Sequence, residues 1–144
     1  MTARSALGVA IALLALSGCG GHDSPSAALD GPLSYVRSGG FAGETQELTI
    51  QRDGRATVTS DLGGTDQASD FELEESQREE IAKLVNDADL ATVKAREAPP
   101  VADGYAYELT YGGDMVRWEM GATPERIAEL VRVLGELAEA NRPN

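Results

Sequence analysis

The sequence predicts an α+β fold: a mainly antiparallel sheet of about five short strands with two amphipathic helices packed on one side. Apolar and polar residues alternate in several short segments, most of which are bounded by glycine-rich turns. Two longer segments instead repeat apolar residues at helical spacing. The chain of 144 residues is long enough for one hydrophobic core but short for two.

The first 18 residues have the composition of a targeting segment. A short basic start, residues 1–5, precedes an unbroken run of apolar or small residues over 6–16. That run is far shorter than the ~20 residues that span a bilayer as a helix. Small residues at 17 and 18 then precede Cys19, the one cysteine of the chain. This arrangement resembles a bacterial lipoprotein signal peptide with its lipobox; an ordinary secretory signal with a chance cysteine is the alternative.

The lipoprotein resemblance implies that residues 1–18 are removed and that Cys19 carries lipid as the first residue of the mature chain. The protein would then be exported to the bacterial cell envelope and anchored to a membrane, because a multiply acylated cysteine is held stably by a bilayer. Residues 20–28 are small, polar and proline-bearing, which is typical of a flexible linker. We therefore expect a lipidated tether over residues 19–32 and a single domain over residues 33–141.

Acidic residues dominate the chain behind the leader. Residues 1–18 hold one base, Arg4, and no acid, so the other 126 residues (144 minus 18) carry 24 acids and 11 bases (12 minus 1). The resulting net charge of −13 (11 minus 24) repels phosphate backbones, and we expect no nucleic-acid partner. A single cysteine also excludes a disulfide framework within the chain.

The first strands are predicted by alternation and by turn residues. Residues 33–37 alternate and stop at a Ser-Gly-Gly sequence, which predicts one strand. Residues 46–51 and 55–59 flank Asp53-Gly54, a dipeptide suited to turns with positive φ, and predict a hairpin. Residues 60–69, which include two adjacent glycines, are expected to form a loop. The inward face of the hairpin is predicted to hold Leu48, Ile50, Ala56 and Val58.

A helix is predicted after a short extended segment. Phe71 and Leu73 alternate with acids, which indicates a strand or an extended lead-in to the helix. Ser76 and Glu79 have the spacing of a capping box, in which each side chain bonds the backbone amide of the other residue. The helix that follows should bury one stripe against the core, formed by Ile81, Leu84, Val85 and Ala88.

A second hairpin and a final helix complete the predicted domain. Residues 105–111 and 115–120 alternate on either side of a glycine pair and supply the largest apolar content of the chain. Thr123, Pro124 and Glu125 follow in the order of an N-cap residue, a first-turn proline and a first-turn acid. The helix should bury Ile127, Leu130, Val131, Leu134 and Leu137.

Few residues of the chain are suited to catalysis or to metal binding. The one histidine, His22, lies in the predicted tether and Cys19 is assigned to lipid, so the domain contains no Ser-His or Cys-His pair. The same shortage argues against zinc and iron sites of the usual type. Acidic clusters exist, but such clusters are usually solvated faces. We therefore expect no catalytic residue, no metal and no cofactor, and a protein that is not an enzyme.

The most unusual local feature is a loop with three glycines in the five positions from Gly39 to Gly43. Such a concentration indicates backbone angles that other residues disfavour, or a close approach by another group. A phosphate-binding loop is excluded because no Gly-Lys-Ser/Thr sequence follows. Two interpretations remain open: a shaped binding loop that presents Phe41 as an apolar plug, or a tight connection whose phenylalanine folds back onto the sheet.

The same loop carries a resemblance to a known family. Residues 35–43, Tyr-Val-Arg-Ser-Gly-Gly-Phe-Ala-Gly, are followed by a strand, a helix with an acidic start, the hairpin that begins at Asp103 and a terminal helix after Pro124. This order, over about residues 33–138, is similar to the emfourin family of small protein inhibitors of thermolysin-like zinc metallopeptidases. The chain departs from that pattern in its lipoprotein leader and in an inserted segment over residues 52–70.

The resemblance implies that the protein obstructs the cleft of a thermolysin-like metallopeptidase, with Phe41 as the apolar anchor. Thermolysin-like sites prefer large apolar side chains beside the scissile bond, and a preorganised loop loses little entropy on docking. The alternative is a lipoprotein binding module for another envelope protein or ligand, built on the same scaffold. The residues expected to contact the target are Arg37, Ser38, Gly39, Gly40, Phe41, Ala42, Gly43 and Glu44.

Overall fold

A computed structural model describes residues 28–95, 99 and 101–143. In this part of the chain, six strands and two α-helices form an α+β fold. Two single 3₁₀ turns follow α1 and precede α2, respectively. The strands are β1 (Leu33–Gly39), β2 (Glu44–Ile50), β3 (Arg55–Asp61), β4 (Asp66–Glu72), β5 (Tyr105–Tyr111) and β6 (Asp114–Glu119); the helices are α1 (Glu75–Ala88) and α2 (Ala128–Ala140); the 3₁₀ turns are Leu90–Thr92 and Glu125–Ile127.

The six strands form one antiparallel sheet in the order β4-β3-β2-β1-β5-β6. Strand β1 lies inside the sheet because Leu33 pairs with Ile50 of β2 on one side and with Tyr111 of β5 on the other. The sequence prediction of an α+β fold with a mainly antiparallel sheet is confirmed, with six strands in place of about five.

The additional strand is β4, which occupies most of the segment predicted to be a loop. Strand β3 continues to Asp61, and Asp66 pairs with it to begin β4, so the connection is only residues 62–65. The loop prediction for residues 60–69 was therefore wrong. Strand β4 lies at the edge of the sheet and most of its side chains are exposed, so it lacks the apolar alternation that reveals half-buried strands.

Helix α1 begins one residue before the predicted cap. Its N-cap residue is Glu74, whose backbone N–H donates a 2.9 Å hydrogen bond to the Gln77 side chain. The predicted capping box of Ser76 and Glu79 was wrong, because Leu73 is buried at the end of the preceding extended segment and places Glu74 at the start of the helix. The predicted core stripe is confirmed: Ile81, Val85 and Ala88 are buried, and Leu84 is half-buried.

The final helix begins later than its sequence signals indicate. Pro124 is the N-cap residue of a 3₁₀ turn in which the Ile127 N–H donates to the Pro124 carbonyl over 3.1 Å, and α2 starts at Ala128. The prediction that Thr123 caps this helix and that Pro124 lies in its first turn was wrong. Of the five predicted core positions, Val131 is half-buried. The other four are buried: Ile127, Leu130, Leu134 and Leu137.

The core lies between the two helices and one face of the sheet. The register places the predicted inward residues of the first hairpin on this face, together with Leu33, Leu109 and Val116. The core also includes Leu29, four residues before the predicted start of the domain. All core residues of the described part lie between Leu29 and Ala138, so a chain that begins at Gly20 retains the entire described core.

Candidate functional site

The loop between β1 and β2 is formed by residues 40–43. Its glycines adopt backbone angles that other residues disfavour: φ is 117° at Gly39, 72° at Gly40 and 65° at Gly43. The Gly43 N–H donates a 3.1 Å hydrogen bond to the Gly40 carbonyl, which closes the turn. Glycine in these positions therefore determines the shape of the loop.

Two of the glycines also permit close contact with the segment that leads into β5. The Gly40 N–H donates a 3.1 Å hydrogen bond to the carbonyl of Gly104. A Cβ atom on Gly39 would lie 2.5 Å from that carbonyl oxygen, and a Cβ atom on Gly40 would lie 2.7 Å from the Tyr105 hydroxyl. The start of the loop is thus fixed by its neighbour: a side chain on Gly39 would force the two backbones apart, and a side chain on Gly40 would displace the Tyr105 ring.

The tip of the loop presents Phe41 to solvent. Its side chain is 94% exposed, and Ala42 and Gly43 are exposed beside it. Phe41 therefore does not fold back onto the sheet, which was one of the two interpretations left open by the sequence. A fully exposed phenylalanine has lost no solvent contact on folding, so its burial against a partner remains available to drive binding.

Arg37 lies in β1 on the helix-facing side of the sheet, close to the loop. Its guanidinium donates a 2.6 Å hydrogen bond to Glu139 Oε1 and lies 5.1 Å from the centroid of the Tyr105 ring. Burial alone would lower the pKa of the Arg37 guanidinium, but the hydrogen bond and negative charge of Glu139 raise it above the ordinary value. Arg37 thus links β1 to the last turn of α2. The neighbouring Ser38 points to the other face of the sheet.

Glu44, the first residue of β2, is buried under the end of the final helix. Its carboxylate accepts a 2.9 Å hydrogen bond from the Ser60 hydroxyl and forms an ion pair with Arg142. The predicted set thus divides into three exposed residues, Phe41, Ala42 and Gly43, and five that are buried or half-buried. Of these five, Arg37 and Glu44 bind other parts of the same domain through their charged groups. Sequence reasoning missed the partners of these two, since Glu139 and Arg142 lie about a hundred positions away.

A row of aromatic rings supports the sheet beneath the loop. The Tyr107 ring stacks on Trp118 with centroids 5.5 Å apart and an interplanar angle of 8°, and on Tyr35 with centroids 6.4 Å apart. Tyr105 tilts against Tyr107 at 6.4 Å and contacts Arg37 on its other side. Burial, followed by the charge of Tyr107, raises the pKa of Tyr35 to about 12.

Two sequence-predicted residues, Cys19 and His22, lie outside the described residues. Among residues 28–95, 99 and 101–143, no three His, Cys, Asp or Glu side chains are grouped so that they could hold a metal ion. No helix in this same part of the chain has the length and apolarity required to cross a bilayer.

No protein-family model matches the chain, and no curated protein is significantly similar to it in sequence.

Proposed function

We propose that this protein is a lipid-anchored inhibitor of thermolysin-like zinc metallopeptidases, exposed in the bacterial cell envelope, and that it acts by obstructing the target cleft without catalysis. The observation that carries the proposal is Phe41, a 94% exposed aromatic side chain at the tip of a glycine-shaped loop. The emfourin-like sequence of residues 35–43 supplies the class of target.

Obstruction needs a loop that stays in shape when it enters a cleft. The loop begins where Gly39 and Gly40 pack against Gly104 and Tyr105. Of the strands on either side, β1 is connected to α2 through Arg37 and Glu139, and β2 is connected to Arg142, just beyond α2, through Glu44. Less conformational entropy is lost on docking when the loop is already ordered, so more of the interaction free energy appears as affinity. An aromatic anchor in an apolar pocket is the kind of residue that dominates such interfaces.

Within the predicted contact set, we assign the target contacts to the exposed tip and the support to its charged neighbours. Phe41, Ala42 and Gly43, which are exposed, form the inhibitory tip. Arg37 and Glu44 hold the tip by binding Glu139, Ser60 and Arg142, and therefore need not touch the target.

The anchor at Cys19 gives the inhibitor its place in the cell. Lipid on this cysteine would hold the domain at a membrane of the envelope, where it would guard envelope proteins against a peptidase of the same cell or of a neighbour. The nine residues that separate Cys19 from Leu29 would span up to about 30 Å if extended, so the loop could meet a peptidase outside the headgroup layer.

An inhibition assay tests the proposed function. The protein that begins at Gly20 is mixed with thermolysin and with several related peptidases, and hydrolysis of a peptide substrate is followed. We expect slower hydrolysis at micromolar inhibitor, while a serine peptidase treated in the same way is unaffected. If none of the metallopeptidases is slowed, the inhibitor proposal is overturned and the alternative, a lipoprotein binding module for another envelope protein or ligand, is favoured.

A further inference from the structure

Large apolar side chains are exposed mainly at one end of the sheet. Among the described residues, Met115 is 51% exposed in β6, and the other exposed large apolar residues lie in loops. We refer to these loop residues as the apolar rim: Phe41 (94% exposed), Leu62 (53%), Val101 (51%) and Met120 (39%).

The strand register brings the rim residues to the same end. Gly39 pairs with both Glu44 and Tyr105, so the loop of Phe41 lies beside the segment that carries Val101. The pairing of Thr45 with Asp61 brings the β3–β4 loop, which carries Leu62, to this end as well. The pairing of Ala106 with Glu119 does the same for Met120, whose N–H donates a 2.8 Å hydrogen bond to the Tyr105 carbonyl.

Phe41 occupies the middle of the apolar rim. The β3–β4 loop is two strand positions from the β1–β2 loop, so the two loops are about 10 Å apart along the edge. On the other side, the Gly40 N–H donates to the Gly104 carbonyl, and the Gly104 N–H donates to the Val101 carbonyl over 2.9 Å. Three loops from different parts of the chain thus place large apolar side chains at the same end of the sheet, with Phe41 between the other two.

The apolar rim is bordered by negative charge. The four loop segments at this end, residues 40–43, 61–66, 101–104 and 119–122, contain four acids and no base. Arg37 and Arg142 also lie at this end, but they form ion pairs with Glu139 and Glu44. Such a border disfavours binding to an anionic lipid surface and binding to the same edge of a second copy, because both are negatively charged. It favours a protein whose apolar cleft is bordered by basic side chains. The four acids are Asp61, Asp66, Asp103 and Glu119.

We infer that Leu62 and Val101 are further contact residues of the docking surface centred on Phe41, and that this surface fits an apolar protein cleft with a basic border. The inference rests on the proposed function and adds two specificity-determining residues to it. Both lie outside the glycine loop, so the surface is wider than the segment that sequence resemblance identifies.

Serine substitutions test the inference with a matched control. The peptidase most strongly inhibited by the protein that begins at Gly20 serves as the probe for Leu62→Ser, Val101→Ser and Met115→Ser. Met115 has the same exposed fraction as Val101 but lies at the opposite end of β6, next to the β5–β6 turn. We expect Leu62→Ser and Val101→Ser each to weaken inhibition about fivefold and Met115→Ser to leave it unchanged. Thermal unfolding midpoints establish that all three variants are folded.

Each other outcome overturns the inference in a recognisable way. Full inhibition by Leu62→Ser and Val101→Ser would exclude these residues from the contact surface while leaving the inhibitor proposal intact. Absence of inhibition by the parent protein would overturn both proposals together. Binding of the parent to vesicles of phosphatidylethanolamine and phosphatidylglycerol that is lost in Leu62→Ser would assign the rim to lipid. Dimerisation that is lost in Leu62→Ser would assign it to a second copy.

Discussion

The guanidinium of Arg37 donates a 2.6 Å hydrogen bond to Glu139, although the two residues are 102 positions apart in the chain. This ion pair joins the strand that leads into the Phe41 loop to the last turn of α2. The side chains are 22% and 47% exposed, so the pair is partly screened by water. The contact therefore positions the base of the loop more than it stabilises the fold.

A double-mutant cycle on Arg37→Ala and Glu139→Gln should give a coupling free energy of about 0.5–1 kcal/mol in urea unfolding. Arg37→Ala should be the more destabilising single change by about 0.5–1 kcal/mol, because it also removes the contact with the Tyr105 ring. The exposed pair of Arg132 and Glu136 is the control and should show weaker coupling. Strict additivity at Arg37 and Glu139 would contradict the expectation.

Phe41→Ala should weaken inhibition of the target peptidase at least about tenfold, because the largest exposed apolar side chain of the loop is removed. The free energy of unfolding should change by less than about 0.5 kcal/mol, since the side chain packs against nothing in the domain. Phe41→Leu keeps an apolar side chain and should retain most of the inhibition. Unchanged potency of Phe41→Ala would move the main contact away from this loop.

Gly39→Ala should lower the free energy of unfolding more than Gly43→Ala does, although both glycines have positive φ. The added methyl at Gly39 meets the Gly104 carbonyl oxygen at 2.5 Å, whereas at Gly43 no atom lies within 4 Å. We expect a loss of about 2–3 kcal/mol in unfolding free energy for Gly39→Ala and about 1 kcal/mol for Gly43→Ala. Equal losses in denaturant unfolding would show that backbone angle alone, and not the close approach, requires glycine at position 39.

The raised pKa of Tyr35 predicts a loss of stability at alkaline pH. Burial of the phenol raises its pKa from 10.0 to about 12 in the folded protein. A group with a raised folded pKa contributes stability that is complete below pH 10 and is lost as the pH rises through about 12. Tyr35→Phe cannot ionise, so its unfolding free energy should fall less than that of the parent over this interval. Tyr111→Phe is the control, and an identical alkaline loss in the parent and Tyr35→Phe would contradict the expectation.

The proposed lipid anchor predicts that Cys19→Ser abolishes lipid attachment, because the cysteine thiol is the atom that is acylated in lipoproteins. Radiolabelled palmitate incorporation and fractionation of a bacterial host measure the two consequences, labelling and membrane retention. His22→Ala changes a nearby polar residue without removing the thiol and should leave both unchanged. Persistent labelling of Cys19→Ser would show that lipid, if present, is attached elsewhere.

The elements that the sequence predicts correctly are those that bury an apolar stripe. The first hairpin is identified by its buried apolar pairs, Leu48 with Val58 and Ile50 with Ala56. Helix α2 is identified by the buried stripe that includes Leu130. The first part of strand β4, residues 66–69, was missed because an exposed edge strand is held mainly by backbone hydrogen bonds to its neighbour, which leave little trace in side-chain polarity. The helix starts were misplaced by a few residues because the buried Leu73 sets the start of α1 and a 3₁₀ turn precedes α2.

The sequence by itself determined the fold class, the glycine requirement of the loop and the identity of Phe41 as its one large apolar side chain. These follow from local periodicity and from the concentration of glycine in one short segment. Only the tertiary structure decided that Phe41 faces solvent and that Glu44 is buried against Ser60 and Arg142. The tertiary structure also placed Leu62 and Val101 at the same end of the sheet as Phe41, because the antiparallel pairing of the strands brings their loops there. The spacing of these residues in the sequence does not reveal which strands pair.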